Sequence, residues 1–562
     1  MPTSRSRVQV RPRPSEDGVV PDLTYRPGSA YDAPVTRVAA EPRPTTTMAG
    51  AAAPETTVPE IVRRRLAPPT PLPAVWSWTA TAVVTLIAAI VRLVDLGRPG
   101  QIIFDETYYA PNAYALLRYG TEWEVVEGGA DPVDGAPVLG DGPAYVVHPP
   151  LGKWLIGLGE AALGYHPTGW RIAAAVAGIL SVLLITRIAQ RLFGSVALGA
   201  MAGLLVALDG MHVVTSRTAL LDIFLALFVV AAVATLLRDR QWQRSRWLAA
   251  LAAGRHRPLT ALPWWRFATA ALLGCAVAVK WSAGFYVLAF LLLLLWWELG
   301  LRRSAGLARP VRSVLRQETP GLLASGAVLV TVYLASWSGW FASYQGYHRL
   351  DPVDVRGSAL PARIAGSVWN LIQYHIQAIT FHSGLDSAHP YSSPAWQWLL
   401  LARPTAFHWS GEGTCGAEKC ASTVLLLGTP VLWWSFLPAL AALLWLAFAR
   451  RDWRAGAILV GAAAGIVPWF FFPERVMFYF YALPAEPFLV LAVVYVFGAL
   501  ITPGRSGRTT LFGFDRRVAA AVLAGAYLLL VAACFAYFYP LYTGQVIPYE
   551  AWQDRIWVSS WV

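Results

Sequence analysis

Two adjacent carboxylates, Asp105 and Glu106 in "IIFDETYYAPNAY", follow closely on a long apolar run and sit among aromatic residues. A carboxylate in a partly apolar cleft can take a proton from a hydroxyl as a general base. The plain alternative is a solvated loop pair, since Asp and Glu are mostly exposed. The flanking "IIF" and "TYYAPNAY" suit a loop packed at a membrane interface better. Cations recur at the expected outer ends of apolar runs: Arg92, Lys153, Arg171, Arg217, Lys280 and Arg475. Arg offers phosphate a bidentate fork and Lys a point charge, so this set points to an anionic head group, most simply a phosphate. Arg92 lies inside the first apolar run, where an ionisable residue is costly and becomes a functional candidate; snorkelling to the interface is its plain reading. Asp222, five residues after Arg217 in "SRTALLDIF", needs a partner inside an apolar helix, as a structural ion pair or as part of the site.

The phosphate is expected on a lipid. "HPPLGKW" contains Gly-Lys but lacks the earlier glycine and the Ser or Thr of a nucleotide-binding loop. His148, His382 and His389 fall in outer loops without zinc-like spacing, so no metal and no cofactor are expected.

The elements that must position these residues are apolar helices. The 562 residues are 56% hydrophobic and 14% charged, with mean hydropathy +0.47; a soluble domain carries about a quarter charged residues. The fold class is therefore an all-α polytopic membrane protein. About eleven runs approach the ~20 residues that cross a bilayer: 75–96, 169–189, 195–211, 218–237, 266–281, 283–300, 320–337, 424–448, 456–472, 478–500 and 518–538. The net charge of +12 raises nucleic acid as a partner. The arginines, however, sit in short connections between apolar runs, which is the pattern of cytoplasmic loops. Arg187 and Arg191, Arg238 to Arg266, Arg302 to Arg316, Arg450 to Arg454 and Arg505 to Arg517 all fall in expected inner connections. The first outer loop holds Asp105, Glu106, Glu122, Glu124, Glu127, Asp131, Asp134 and Asp141 instead. The N-terminus is thus expected inside and the C-terminus outside, with outer regions at about 97–168 and 338–423.

Residues 1–74, rich in Pro, Arg, Thr and Ala, read as a disordered cytoplasmic tail. The catalytic membrane domain spans 75–545, and 546–562 form an extracytoplasmic tail. Cys275 and Cys534 lie in apolar runs as buried thiols. The outer side permits a disulfide between Cys415 and Cys420, whose geometry the sequence leaves open.

These residues also carry a resemblance. Arg92 followed by "FDE", then "HPPLGKWLIG", "SRTALLDIFLALF", "VAVKWSAGFYVLAF", "HPYSSPAWQW" and "YFYALPAEPF", in that order, resemble the protein O-mannosyltransferases, in their actinobacterial branch. The resemblance covers about 75–545. Eukaryotic members carry a β-trefoil domain in the large outer loop; 338–423 is too short for one, which leaves acceptor selection open. The resemblance implies a GT-C glycosyltransferase fold with about eleven transmembrane helices in the plasma membrane and an extracytoplasmic active site. It implies transfer of mannose from polyprenyl-phosphate-mannose to Ser or Thr of exported proteins, with inversion, and the secretion translocon as a further partner. Asp105 is then the base and Glu106 orients the loop or contacts the acceptor. Arg217, Arg171, Lys280, Arg92 and Arg475 attend the donor phosphate, with Arg92 bracing the acidic loop. Lys153, His148, Asp222, His389 and Tyr391 support the site. Two other readings stand beside it: a lipid-phosphate-sugar transferase acting on a glycan or lipid, and a lipid-linked sugar transporter. A transporter often shows internal repeats; here the charged motifs gather on one face without an obvious repeat.

Overall fold

The computed structural model describes residues 58–386, 388–501, 510–511 and 514–562. The expected tail lies outside the described residues up to 57. Beyond that it departs from expectation: α1 (Glu60–Leu66) is helical, and its buried Leu66 packs with Trp247 and Leu301. Val62 joins the same cluster, and Arg244 donates to the Arg65 carbonyl.

The first long helix, α2 (Ala74–Leu93), leads into α3 (Glu106–Tyr119), a short hairpin of β1 (Trp123–Val125) and β2 (Leu139–Pro143), and α4 (Leu151–Leu163). Then come α5 (Pro167–Phe193), α6 (Val196–Ala207), α7 (Gly210–Ser216), α8 (Asp222–Ala252), α9 (Trp264–Val279), α10 (Ala283–Ser304) and α11 (Pro310–Ser336). Among the described residues, eight helices are long and apolar enough to cross a membrane, or nine when α6 and α7 count as one bent span. The chain is thus a multi-pass membrane protein. The third expected span is this bent pair, turned by 63°. Asp209 causes the break: its carboxylate caps α7 by accepting the His212 N–H and also takes the Thr429 N–H and the Trp433 indole. The fourth and fifth expected spans correspond to α8, of 31 residues, and α9, of 16.

The outer region expected at 338–423 has structure of its own. It contains α12 (Ser338–Ala342), α13 (Leu360–Ser383), α14 (Ala395–Trp398) and β3 (Thr405–Ser410), which pairs antiparallel with β4 (Cys420–Leu426). Cys415 and Cys420 form a disulfide across the connection, with Cα atoms 5.9 Å apart. Two outer regions are cinched together where α3 ends: Gly120 takes φ +74° and its carbonyl lies where a Cβ on Gly339 would meet it at 2.1 Å. Only glycine fits at that approach.

The chain closes with α15 (Pro430–Arg450), α16 (Trp453–Ile466), a 3-10 turn Tyr479–Ala485 running into α17 (Glu486–Ile501), α18 (Arg516–Thr543) and α19 (Tyr549–Gln553). Residues 546–562 are not a loose tail. Ile547–Pro548 pair with β4, the Trp552 indole donates to Thr423, and the buried Trp561 donates to the Leu401 carbonyl. At the other end of the bundle, Arg266 bonds Asp239, Glu298 and Glu318, while Arg302 bonds the same two glutamates. Buried charges persist when each finds a partner, and here they bind α8, α9, α10 and α11 into one unit.

Candidate active site

The loop from α2 to α3 carries the acidic pair. Phe104 sits at φ +49°, a conformation non-glycine residues rarely adopt. Surrounding packing holds it there: its ring stacks on Phe407 at 4.2 Å and meets Phe480 edge-on at 5.9 Å. Asp105 follows immediately. Its side chain is half-buried and makes no hydrogen bond among the described residues. Burial pushes its carboxyl up to about 6; the nearby Lys280 ammonium opposes this and the Asp222 carboxylate reinforces it. Tyr109, one turn along α3, has its phenol held well above the ordinary range, first by burial and then by Asp105.

Glu106 has a different task. It is fully buried and accepts four groups: Arg171 Nε at 2.7 Å, Arg171 Nη2 at 2.8 Å, and the N–H groups of Ile103 and Ala219 at 3.1 and 3.0 Å. A carboxylate so filled has little room for a substrate. Its bonds tie the loop from α2 to α3 to Arg171 and to the connection between α7 and α8.

Three of the expected phosphate cations are engaged elsewhere for the same reason. Beyond Glu106, Arg171 donates to the carbonyls of Leu96, Pro99 and Gln101. Arg217 donates to the carbonyls of Val91, Arg92, Val94 and Asp95, satisfying the open C-terminal end of α2. Arg92 faces the α6–α7 bend, donating to the Val206 and Ala207 carbonyls freed there, to Ser216, and to His212 Nδ1 at 2.9 Å. Spacing placed these arginines near one membrane depth; only the fold shows the carbonyls that claim them.

Two cations do meet. A cavity of about 490 Å³ is lined by Lys280 and Asp222, the two charges that act on the Asp105 carboxyl, and by Arg475, His148 and His382, with Phe285, Ile379, Trp469 and Phe472 toward its apolar side. Lys280 Nζ sits 3.0 and 2.8 Å from the two Asp222 oxygens and lies 5.0 Å from the centre of the Tyr481 ring. Arg475 donates to the His382 carbonyl at 2.7 Å, and its Nε is buried without a partner among the described residues. His148 and His382 stack at 5.3 Å. Both imidazoles are kept neutral near pH 7: burial, then Lys280, holds His148 well below the usual range, and burial, then Arg475, lowers His382 to about 4. A polar, cationic end and an aromatic wall suit an amphiphile with a phosphate head.

The remaining expected residues stand around this centre. Lys153 is buried, ion-paired with Glu122, and donates to the His148 carbonyl at 3.0 Å, so it positions that histidine. His389 accepts the Tyr391 N–H at 3.1 Å and meets Phe478 edge-on at 4.9 Å, while Arg403 lies over the Tyr391 ring. Nothing in the sequence marks Tyr109, the cavity-lining Trp281 that meets His382 edge-on at 6.1 Å, or the pairing of Glu122 with Lys153. Tyr481 stands within "YFYALPAEPF", but its place over Lys280 follows from the 3-10 turn that carries it.

Comparison with known proteins matches two family models. One, described as "Dolichyl-phosphate-mannose-protein mannosyltransferase", covers residues 82–309. The other, "C-terminal four TMM region of protein-O-mannosyltransferase", covers residues 368–561. Among curated relatives, the polyprenol-phosphate-mannose–protein mannosyltransferase of Mycolicibacterium smegmatis (strain MKD8) is 39% identical, over 87% of this chain and 94% of its own. That of Mycobacterium tuberculosis is 38% identical over 87% and 93%. The Corynebacterium glutamicum protein is 34% identical over 86% and 93%. Among solved structures, the S. cerevisiae protein O-mannosyltransferase complex bound to the sugar donor aligns with TM-score 0.64 at 15% identity, covering 90% of this chain and 94% of that one.

Proposed function

The chain belongs to the protein O-mannosyltransferase family, and from that membership we propose that it transfers mannose from polyprenyl-phosphate-mannose to Ser and Thr hydroxyls of exported proteins. The observation that carries this reading is Asp105: an unpaired, half-buried carboxylate with a raised pKa, within the field of Lys280 and Asp222, which line a cavity with a cationic end and an aromatic wall.

The hydroxyl oxygen attacks C1 of the mannose from the face opposite the phosphate. Asp105 takes the hydroxyl proton as the C1–oxygen bond to the acceptor forms. The C1–oxygen bond to the phosphate breaks and its electrons leave with the phosphate, so the configuration inverts. Phosphate is a good leaving group and needs no general acid. Lys280 and Arg475 stabilise the charge that grows on it. Asp222 holds the Lys280 ammonium in place, and His148 and His382 shape the same end of the cavity without adding charge. Glu106, Arg171, Arg217 and Arg92 hold the framework.

The site faces the extracytoplasmic side of the plasma membrane in this reading, with the N-terminus inside and α8 and α9 crossing with the other spans. The support is charge: the end of the bundle opposite Asp105 carries the arginine-rich connections. An acceptor segment delivered by the secretion translocon would reach Asp105 before folding.

The test uses purified wild type and Asp105→Asn, labelled polyprenyl-phosphate-mannose and a Ser/Thr/Pro-rich peptide. Mannosyl-peptide from wild type, with about 10²–10⁴-fold less from a folded, donor-binding Asp105→Asn, is expected. Normal turnover in Asp105→Asn removes Asp105 from the role of base. No product from donor-bound wild type removes the peptide acceptor.

A further inference from the structure

A second charged cavity lies at the far end of the bundle. Its walls come from the last turns of α5, α10 and α15, the Arg240–Arg244 stretch of α8, the start of α16, and the end of α1. Asp105 and Lys280 stand near the opposite ends of α5, α8 and α10, so this cavity is on the other face of the membrane domain. It has a volume of about 560 Å³.

Eight arginines line it, against one carboxylate, Asp452, among the described residues. That carboxylate is already taken: Arg454 holds it at 2.7 Å, and the Tyr495 hydroxyl donates to it at 2.9 Å. Arg191, Arg240, Arg450 and Arg451 form no ion pair among the described residues. Positive charge on a cytoplasmic face needs no ligand when it is solvated. Arg240 is not solvated. It is only 9% exposed, its guanidinium lies 3.3 Å from the centre of the Trp453 ring, and its buried Nε has no hydrogen-bond partner. The side chain makes no hydrogen bond at all among the described residues. A desolvated guanidinium left without an acceptor is costly, and the ring face offsets only part of that cost.

We propose that this cavity binds a phosphate group, with Arg240 as its floor and Arg191, Arg244 and Arg451 closing over it. Phosphate fits the chemistry because several guanidinium groups can each fork onto its oxygens. The source is the head group of an anionic phospholipid or free inorganic phosphate. Position favours the lipid, since a basic pocket among helix ends on the cytoplasmic side is where acidic head groups are recognised. Binding there ties α1 to α8 and α16, and it acts on the fold from the face opposite the transfer chemistry.

The experiment compares full-length wild type with Arg240→Gln and with Arg191→Gln/Arg451→Gln. Each is purified in a neutral detergent and titrated with phosphatidylglycerol, phosphatidylcholine or inorganic phosphate, reading thermal unfolding and bound lipid by native mass spectrometry. Wild type should be stabilised by phosphatidylglycerol and not by phosphatidylcholine, with about tenfold weaker binding in either variant. The double variant changes rim residues and keeps the proposal testable if Arg240→Gln fails to fold. Stabilisation by inorganic phosphate alone identifies the free anion as the source. Equal binding of phosphatidylglycerol by wild type and the double variant, or no response to either phosphate source, overturns the proposal.

Discussion

Asp105 makes a quantitative prediction about pH. A base must be ionised to accept the hydroxyl proton, so turnover follows the ionised fraction. With a carboxyl at about 6, roughly nine-tenths is ionised at pH 7 and one-tenth at pH 5. At the ordinary value of 3.8, about nine-tenths would still be ionised at pH 5. The rate should therefore fall about tenfold from pH 7 to pH 5, with a slope approaching tenfold per unit below that. The neighbours fix the direction of a second effect. Asp222 raises the Asp105 carboxyl and Lys280 lowers it. Asp222→Asn removes the anion and frees the ammonium, so the acid limb should move to lower pH. The assay is the initial rate of mannosyl-peptide formation from pH 4.5 to 8 at saturating labelled donor, with unfolding monitored in parallel. A folded wild type whose rate at pH 5 stays close to its rate at pH 7 refutes the reasoning, as does an acid limb that Asp222→Asn moves upward.

Other substitutions separate framework from chemistry. Glu106→Ala leaves the Arg171 guanidinium buried and uncompensated, which should cost about 3–5 kcal/mol in a denaturation series; a wild-type midpoint with lost turnover would return Glu106 to catalysis. Arg475→Ala should raise the apparent KM for the donor several-fold while the protein unfolds near the wild-type temperature, measured by steady-state kinetics at fixed peptide. Gly339→Ala pushes a methyl into the Gly120 carbonyl and should destabilise the outer region, detected as faster proteolysis between α12 and α13.

Much of this fold is readable from apolar runs alone, because a helix in a bilayer must satisfy its backbone within itself. The starts of α5 and α10 lie within a few residues of where hydropathy suggests, while α15 begins at Pro430 instead of 424 because the head of that apolar run is the strand β4. The broken third span is harder to read. Asp209 and Gly210 stand in the run, but the acceptors and donors that make a break affordable come from Thr429 and Trp433, more than two hundred residues away. The same limit governs the site. Asp105, Lys280 and Arg475 could be picked out by residue type and flanks. Arg171 and Arg217 look equally eligible in sequence, since nothing local says that Glu106 and the carbonyls ending α2 will claim them. The helix α13 hides in an outer region because its amphipathic pattern is too polar for a span.

One short turn has a wider consequence. Between α7 and α8, Arg217 grips the end of α2 and the Ala219 N–H grips Glu106, while Asp222 opens α8 and holds Lys280. The proposed base, through its neighbour Glu106, and the cation proposed to serve the leaving group are therefore fastened to the same six residues. They form a fixed jig: their separation is set when the chain folds and does not wait for substrate. Motion needed to admit a long lipid or a new polypeptide must then come from the parts that hang outside this jig, such as α13 and the exposed Phe471 and Phe472 that line the cavity. Diversity of acceptors can accumulate there while the reacting centre keeps one geometry.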